Sequence, residues 1–134
     1  MDVFGHEKRS WVMSRVRSKN TAPEIAVRSI LHRLGYRFRL HQNDVPGHPD
    51  IVLKKHRTAV FVHGCFWHRH KKCKHATTPA TNQGYWLPKF ERTVARDRSN
   101  LKEVRRLGWK AVVVWECELR NPAKLTRRLL RLMQ

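Results

Sequence analysis

Four of the nine histidines and two of the three cysteines fall between positions 63 and 75, in His63-Gly64-Cys65-Phe66-Trp67-His68-Arg69-His70 followed by Cys73 and His75. Nitrogen and sulfur donors crowded into one irregular stretch favour a metal ion. Zinc takes four of them in a tetrahedron, and a site closed by four protein ligands adds folding energy without performing chemistry. Cys65, His70 and Cys73 can supply three ligands from the loop, and Cys117 the fourth from a distance. Buried free thiols beside a solvated basic loop are the plainer alternative. Asp50, after Pro46-Gly47-His48-Pro49 and before an apolar stretch, is a carboxylate at the mouth of a sheet, where it can hold a hard divalent ion such as magnesium against a phosphate. An aspartate after proline is more often a turn residue. Asp97 says more. It lies in the stripe of Phe90, Val94, Leu101 and Val104, and an acid facing a core must be paired or metal-bound. His63 and His68 are the partners the cluster offers, with an arginine as the structural alternative. Glu24 shares a face with Val27, Leu31 and Leu34, though a capping role also accounts for it. Phe66 and Trp67 are either core filler or apolar wedges that enter a base stack.

The elements that must position these residues follow from periodicity and punctuation. Thr21 and Glu24 have capping-box spacing, Pro23 sits in a first turn and Gly35 follows the last apolar position, so a helix is expected over 22–34. Strands are expected at 36–40, 50–53 and 59–62, the last an unbroken apolar run that suits a strand covered on both faces. Residues 63–84 have no period. A basic helix over 85–107, with Pro88 in its first turn, a strand at 109–115 and a terminal helix over 122–133 complete the chain. Residues 7–18 suit a short cationic helix, part of an N-terminal arm over about 1–20. The order implies an α/β fold with a mixed sheet flanked by helices.

Composition narrows the partner. Lysine and arginine number 29 against 10 acids, a net charge of +19, and nucleic acid is the commonest polyanion to neutralise it. A ribosomal-type or cationic surface-binding protein is the bland alternative. No stretch approaches the ~18 apolar residues of a membrane span and no apolar signal core opens the chain, so a cytoplasmic, nucleoid-associated protein with no membrane partner is expected. Three cysteines cannot complete a disulfide framework, and 134 residues suit a single domain.

The motif His63-Gly64-Cys65-Phe66-Trp67-His68, preceded by Pro46-Gly47-His48-Pro49-Asp50 and followed by Tyr85-Trp86, Arg96-Asp97-Arg98 and Val114-Trp115-Glu116-Cys117, resembles the very-short-patch-repair mismatch endonucleases. The likeness runs from Met13 to Cys117 in the same order and with similar spacing. It implies a restriction-endonuclease-like fold and nicking 5′ to the thymine of a T:G mismatch, which starts repair of deaminated 5-methylcytosine. Carried over by position, it implies magnesium on Asp50 and the backbone carbonyl of Val62. His68 activates water, Asp97 orients His68, His63 lies by the scissile phosphate and Glu24 has a lesser role. Cys65, His70, Cys73 and Cys117 match structural zinc ligands, with His68 and His75 as substitutes for His70. Phe66, Trp67 and Met13 match apolar groups inserted at the mismatch. The second acid and lysine common in the wider fold are replaced by Phe61 and His63.

Basic residues of the long helix, among them Lys89, Arg92 and Arg96, would hold phosphates without reading sequence. The implied substrate is double-stranded DNA carrying a T:G mismatch, bound by a monomer with repair accessory proteins as further partners. The rivals are a restriction-type or structure-selective nuclease of the same fold, a zinc-stabilised DNA-binding module without catalysis, and an RNA-binding cationic protein.

Overall fold

The computed structural model describes residues 20–133, so the expected arm and Met13 lie outside the described residues. Helix α1, Ala22–Arg33, starts where expected: Thr21 is extended and its Oγ1 accepts from the Glu24 amide at 3.3 Å. The reciprocal half of the capping box is shifted by one residue, because Glu24 Oε2 accepts from the Asn20 amide at 3.0 Å. Gly35, with φ at 85°, turns the chain out of the helix.

Four strands follow in the spatial order β1 (Arg39–Leu40), β2 (Ile51–Leu53), β3 (Thr58–His63) and β4 (Lys110–Trp115). β1 and β2 are antiparallel to their neighbours, and β3 runs parallel to β4. Tyr36 and Phe38, expected as strand, pack on the core without joining the ladder. β2 has only three residues, and β1 pairs with just two of them. The parallel pair requires a crossover. It is made by the irregular loop of residues 64–82 and helix α2, Gln83–Arg106. α2 begins two residues before the expected start, so Pro88 is its sixth residue and lies beyond the first turn. The carbonyl that proline leaves without its helical donor belongs to exposed Gly84, where water can serve it. Helix α3, Pro122–Met133, closes the described chain.

Alternation along the strands distributes the core to both faces of the sheet. Ile51, Leu53 and Val60 pack with Val27 and Leu31 of α1 and with Leu125 and Leu129 of α3. Val52, Ala59 and Phe61 pack with Val104 of α2. This is a mixed sheet flanked by helices, as the element order implies. The period of two also sends His63, two residues on from Phe61, to the side of α2. No described helix is long and apolar enough to cross a membrane.

Candidate active site

Three clusters gather where β3 ends. In the first, the end of β3 presents His63, the turn after it presents His68, and α2 presents Asp97. The His63 and His68 rings stack with centroids 3.9 Å apart and 5° between planes. His68 Nδ1 donates to Asp97 Oδ2 at 2.6 Å, which supplies the partner that the apolar stripe of α2 required. A ring held through Nδ1 keeps Nε2 as its basic nitrogen. His63 is buried, and that burial, followed by neighbouring His68, lowers its pKa to about 4 against the opposing pull of Asp97. It is therefore a neutral ring near pH 7.

The second cluster is Glu24, His41 and Asp50, each offering one donor atom within 4.8 Å of the others. Asp50 is locked to the next strand twice: its amide donates to the Val60 carbonyl at 3.0 Å, and its Oδ2 accepts from the Val62 amide at 2.7 Å. Val62 and His63 are consecutive, so this cluster and the histidine pair flank the same strand end. Burial raises Asp50 to about 7; the Val62 amide opposes the rise and the Glu24 carboxylate adds to it. A carboxylate whose proton affinity is raised beside a second carboxylate is a fit for a divalent cation, which would neutralise both. Arg28 NH2 stands beside them, 2.9 Å from Glu24 Oε2 and 3.3 Å from His41 Nε2.

The third cluster is Cys65, His70, Cys73 and Cys117, again with donor atoms within 4.8 Å of one another. Cys117 Sγ lies 3.4 Å from His70 Nδ1. Three sulfurs and an imidazole at these separations suit zinc, whose Zn–S bonds of about 2.3 Å place tetrahedral ligands closer than 4 Å to each other. Burial pushes the Cys65 thiol up to about 12 and raises Cys117 as well, whereas the His75 amide lowers Cys73. Of the alternatives to His70, His68 is engaged with Asp97, and His75 lines a cavity of about 600 Å³ beside Cys65 and Cys117 without joining the cluster.

Aromatic side chains surround the site. Phe66 meets Trp67, Trp86 and Phe90 edge-on at 5.3, 5.7 and 5.3 Å. Phe66 and Trp67 are half-buried, so they pack while keeping part of their surface in solvent. Lys89 Nζ sits 5.1 Å over the Trp67 ring, and Arg92 and Arg96 are exposed on α2. Trp115 joins two clusters, edge-on to His63 at 5.2 Å and stacked on His70 at 4.1 Å. Arg28, His41, Trp86 and Trp115 were not singled out by residue chemistry in the sequence. For Trp115 a signal existed: the end of a strand parallel to that of His63 must lie beside it.

A family model described as DNA mismatch endonuclease Vsr matches residues 1–75. The Type II nicking enzyme V.XorIIP of Xanthomonas oryzae pv. oryzae is 49% identical over 128 residues, covering 96% of this chain and 93% of that protein. The DNA mismatch endonuclease Vsr of Escherichia coli is 40% identical over 125 residues, covering 93% of this chain and 80% of its own. Among solved structures, the catalytic domain of the homing endonuclease I-Bth0305I aligns with a TM-score of 0.55 at 19% identity, over 84% of this chain and 93% of that one, a likeness of fold. A family match over more than half of the sequence and relatives that span nearly all of it show that this chain, a DNA endonuclease, belongs to the DNA mismatch endonuclease Vsr family.

Proposed function

We propose that the chain nicks double-stranded DNA 5′ to the thymine of a T:G mismatch, beginning very short patch repair of deaminated 5-methylcytosine. The observation that carries the chemistry is the 2.6 Å bond from His68 to Asp97, at the same strand end to which the half-buried Asp50 is tied through Val62. His68 Nε2 accepts a proton from water as the water oxygen bonds to phosphorus and a phosphorus–oxygen ester bond of the backbone breaks. Asp97 keeps the ring in the tautomer with its base outward and stabilises the imidazolium that forms. Neutral His63, stacked on His68, limits the directions the ring can take and faces the phosphate. Magnesium held by Asp50 and the Val62 carbonyl would supply charge stabilisation to the phosphate and the departing oxygen.

Glu24 has a lesser part, holding Arg28 and adding charge next to Asp50. Cys65, His70, Cys73 and Cys117 would hold a structural zinc that shapes the loop of residues 64–82. Phe66 and Trp67, with Met13 from the arm, enter the base stack beside the mismatch. Lys89, Arg92 and Arg96 hold backbone phosphates. On this proposal the chain is one nuclease domain, acting as a monomer on nucleoid DNA in the cytoplasm and handing its nick to accessory repair proteins.

The test is nicking of end-labelled T:G and matched C:G duplexes, with and without magnesium. The expected result is a single nick beside thymine, in the mismatch and with magnesium only. Asp50→Ala and His68→Ala should abolish it while leaving DNA affinity close to wild type, because the basic surface supplies most binding. Equal nicking of both duplexes would instead favour the restriction-type reading. DNA binding without any nicking would favour the non-catalytic module.

A further inference from the structure

Glu24, His41 and Asp50 reach one point from three places in the fold: α1, the residue after β1 and the residue before β2. We propose that His41 is a direct ligand of the divalent ion at Asp50, completing with Glu24 a set of two carboxylates and one imidazole that holds manganese in preference to magnesium. The inference rests on the reading of Asp50 as the ion's anchor.

His41 is tied to that anchor through the backbone, its amide donating to the Asp50 carbonyl at 3.3 Å as an extension of the β1–β2 ladder. Its side chain is only 17% exposed and that of Glu24 only 3%, so the ring nitrogen facing the carboxylates needs a partner from within the site. Arg28 is the competitor, and hydrogen counting limits it. Its NH2 nitrogen lies 2.7 Å from Asn20 Oδ1, 2.9 Å from Glu24 Oε2 and 3.3 Å from His41 Nε2. One NH2 group carries two hydrogens for these three acceptors. The histidine contact is the longest, and Glu24 Oε2 is itself 3.5 Å from Nε2; in the tautomer that carries its hydrogen on Nδ1, Nε2 is the acceptor left over and its lone pair faces the carboxylates.

Ligand chemistry then sets the preference. Magnesium demands oxygen donors in near-ideal octahedral geometry and gives up water reluctantly. A nitrogen donor shifts affinity toward first-row transition ions, which bind mixed nitrogen and oxygen sets more readily.

The test uses the full chain with zinc bound and no DNA, titrated with manganese. Free manganese is followed by electron paramagnetic resonance, and the bound ion is examined by pulsed methods for nitrogen coupling. Magnesium affinity comes from competition. Wild type should show coupling to one imidazole nitrogen. His41→Ala and the hydrogen-bonding His41→Gln should both remove the coupling and weaken manganese by about tenfold, the scale of losing even an outer partner of a metal ligand. Magnesium affinity should move much less. Bound manganese with no nitrogen coupling in wild type, or coupling that survives both substitutions, overturns the assignment. Asp50→Asn separates the two levels. If it binds manganese like wild type, the anchor reading itself fails. If it loses manganese while His41→Ala retains both ion and coupling, only the role of His41 fails.

Discussion

A 2.6 Å bond between an imidazole and a carboxylate is short for a neutral pair and marks a charge-assisted contact. Asp97→Asn keeps the shape of the side chain and removes the charge that supports a protonated His68. Single-turnover nicking of a T:G duplex should fall by about 10²- to 10⁴-fold, the usual worth of a positioned base, with the melting temperature close to wild type. A fall in stability with undiminished nicking would make Asp97 a structural partner only. Asp50 yields a second expectation, from pH. Its folded pKa, raised from 3.8 to about 7 by burial and then by Glu24 against the Val62 amide, means that the folded protein holds this proton more tightly than the unfolded chain does. Its stabilising contribution is complete below the unfolded value and is lost as pH rises through about 7. A divalent ion replaces that proton, so it should raise the melting temperature of the zinc-bound protein more at about pH 8 than at about pH 5.5. His63 acts in the opposite sense. Its depressed pKa of about 4 costs stability as pH falls below 6.5, with or without the ion. The ion-dependent difference therefore reports the protons that the ion displaces from its ligands, that of Asp50 among them, and an equal shift at both pH values would remove Asp50 from the ion site.

Between β3 and α2 lies a stretch, residues 64–82, with no regular secondary structure, unusual in a compact fold unless something ties it down. Two devices do so. Arg69 donates to the carbonyls of Thr77 and Ala76 and to Thr78 Oγ1 at 2.8, 3.0 and 3.0 Å, and its guanidinium lies 4.0 Å over Phe90. The cysteine and histidine cluster sets Cys65, His70 and Cys73 of the loop against Cys117, in the short helical turn after β4, where the proposed zinc would tie them together. Cys73→Ser should lose the bound zinc and lower the melting temperature together; metal analysis beside calorimetry checks both, and a stable, zinc-free, active variant would reject the structural role. The aromatic group on the same loop has a separate test. Trp67 is half-buried and contacts Phe66, Trp86 and Lys89, so Trp67→Ala should cost some stability as well as specificity. A wedge predicts a smaller ratio of T:G to C:G nicking rates, because a wobble pair is more easily unstacked than a matched one. Lower stability with an unchanged ratio would make Trp67 packing alone.

At the scale of the whole molecule, the charge of +19 acts on any duplex, mismatched or not. Binding should weaken steeply as salt rises, each neutralised phosphate adding about 0.9 to the slope of log affinity against log salt. Arg92 and Arg96 are exposed on the helix that carries Asp97. Removing both as Arg92→Ala/Arg96→Ala should lower that slope by about two and leave the ratio of T:G to C:G affinity unchanged. An unchanged slope would detach α2 from the phosphate backbone. Among the described residues α1 and α3 pack on one face of the sheet and α2 on the other, and the donor clusters lie at the end of β3.

Local chemistry by itself determined much of this arrangement. Thr21, Pro23 and Gly35 bracket α1 because caps and turn residues act on their own few neighbours. The run at 59–62 declares a strand buried on both faces, and the stripe of α2 declares that Asp97 needs a partner. Periodicity names a face, however, not what lies against it. Residue chemistry left both His63 and His68 open as partners of Asp97; the resemblance pointed to His68, and to His70 with the cysteines, and the tertiary structure makes both contacts, across 29 and 47 positions of sequence. The same limit hid His41, which stands after a two-residue edge strand with no pattern to mark it, and Arg28, one turn beyond Glu24 on α1. Their meeting with Asp50 depends on strand register and helix rotation, and those are set by how the whole core packs.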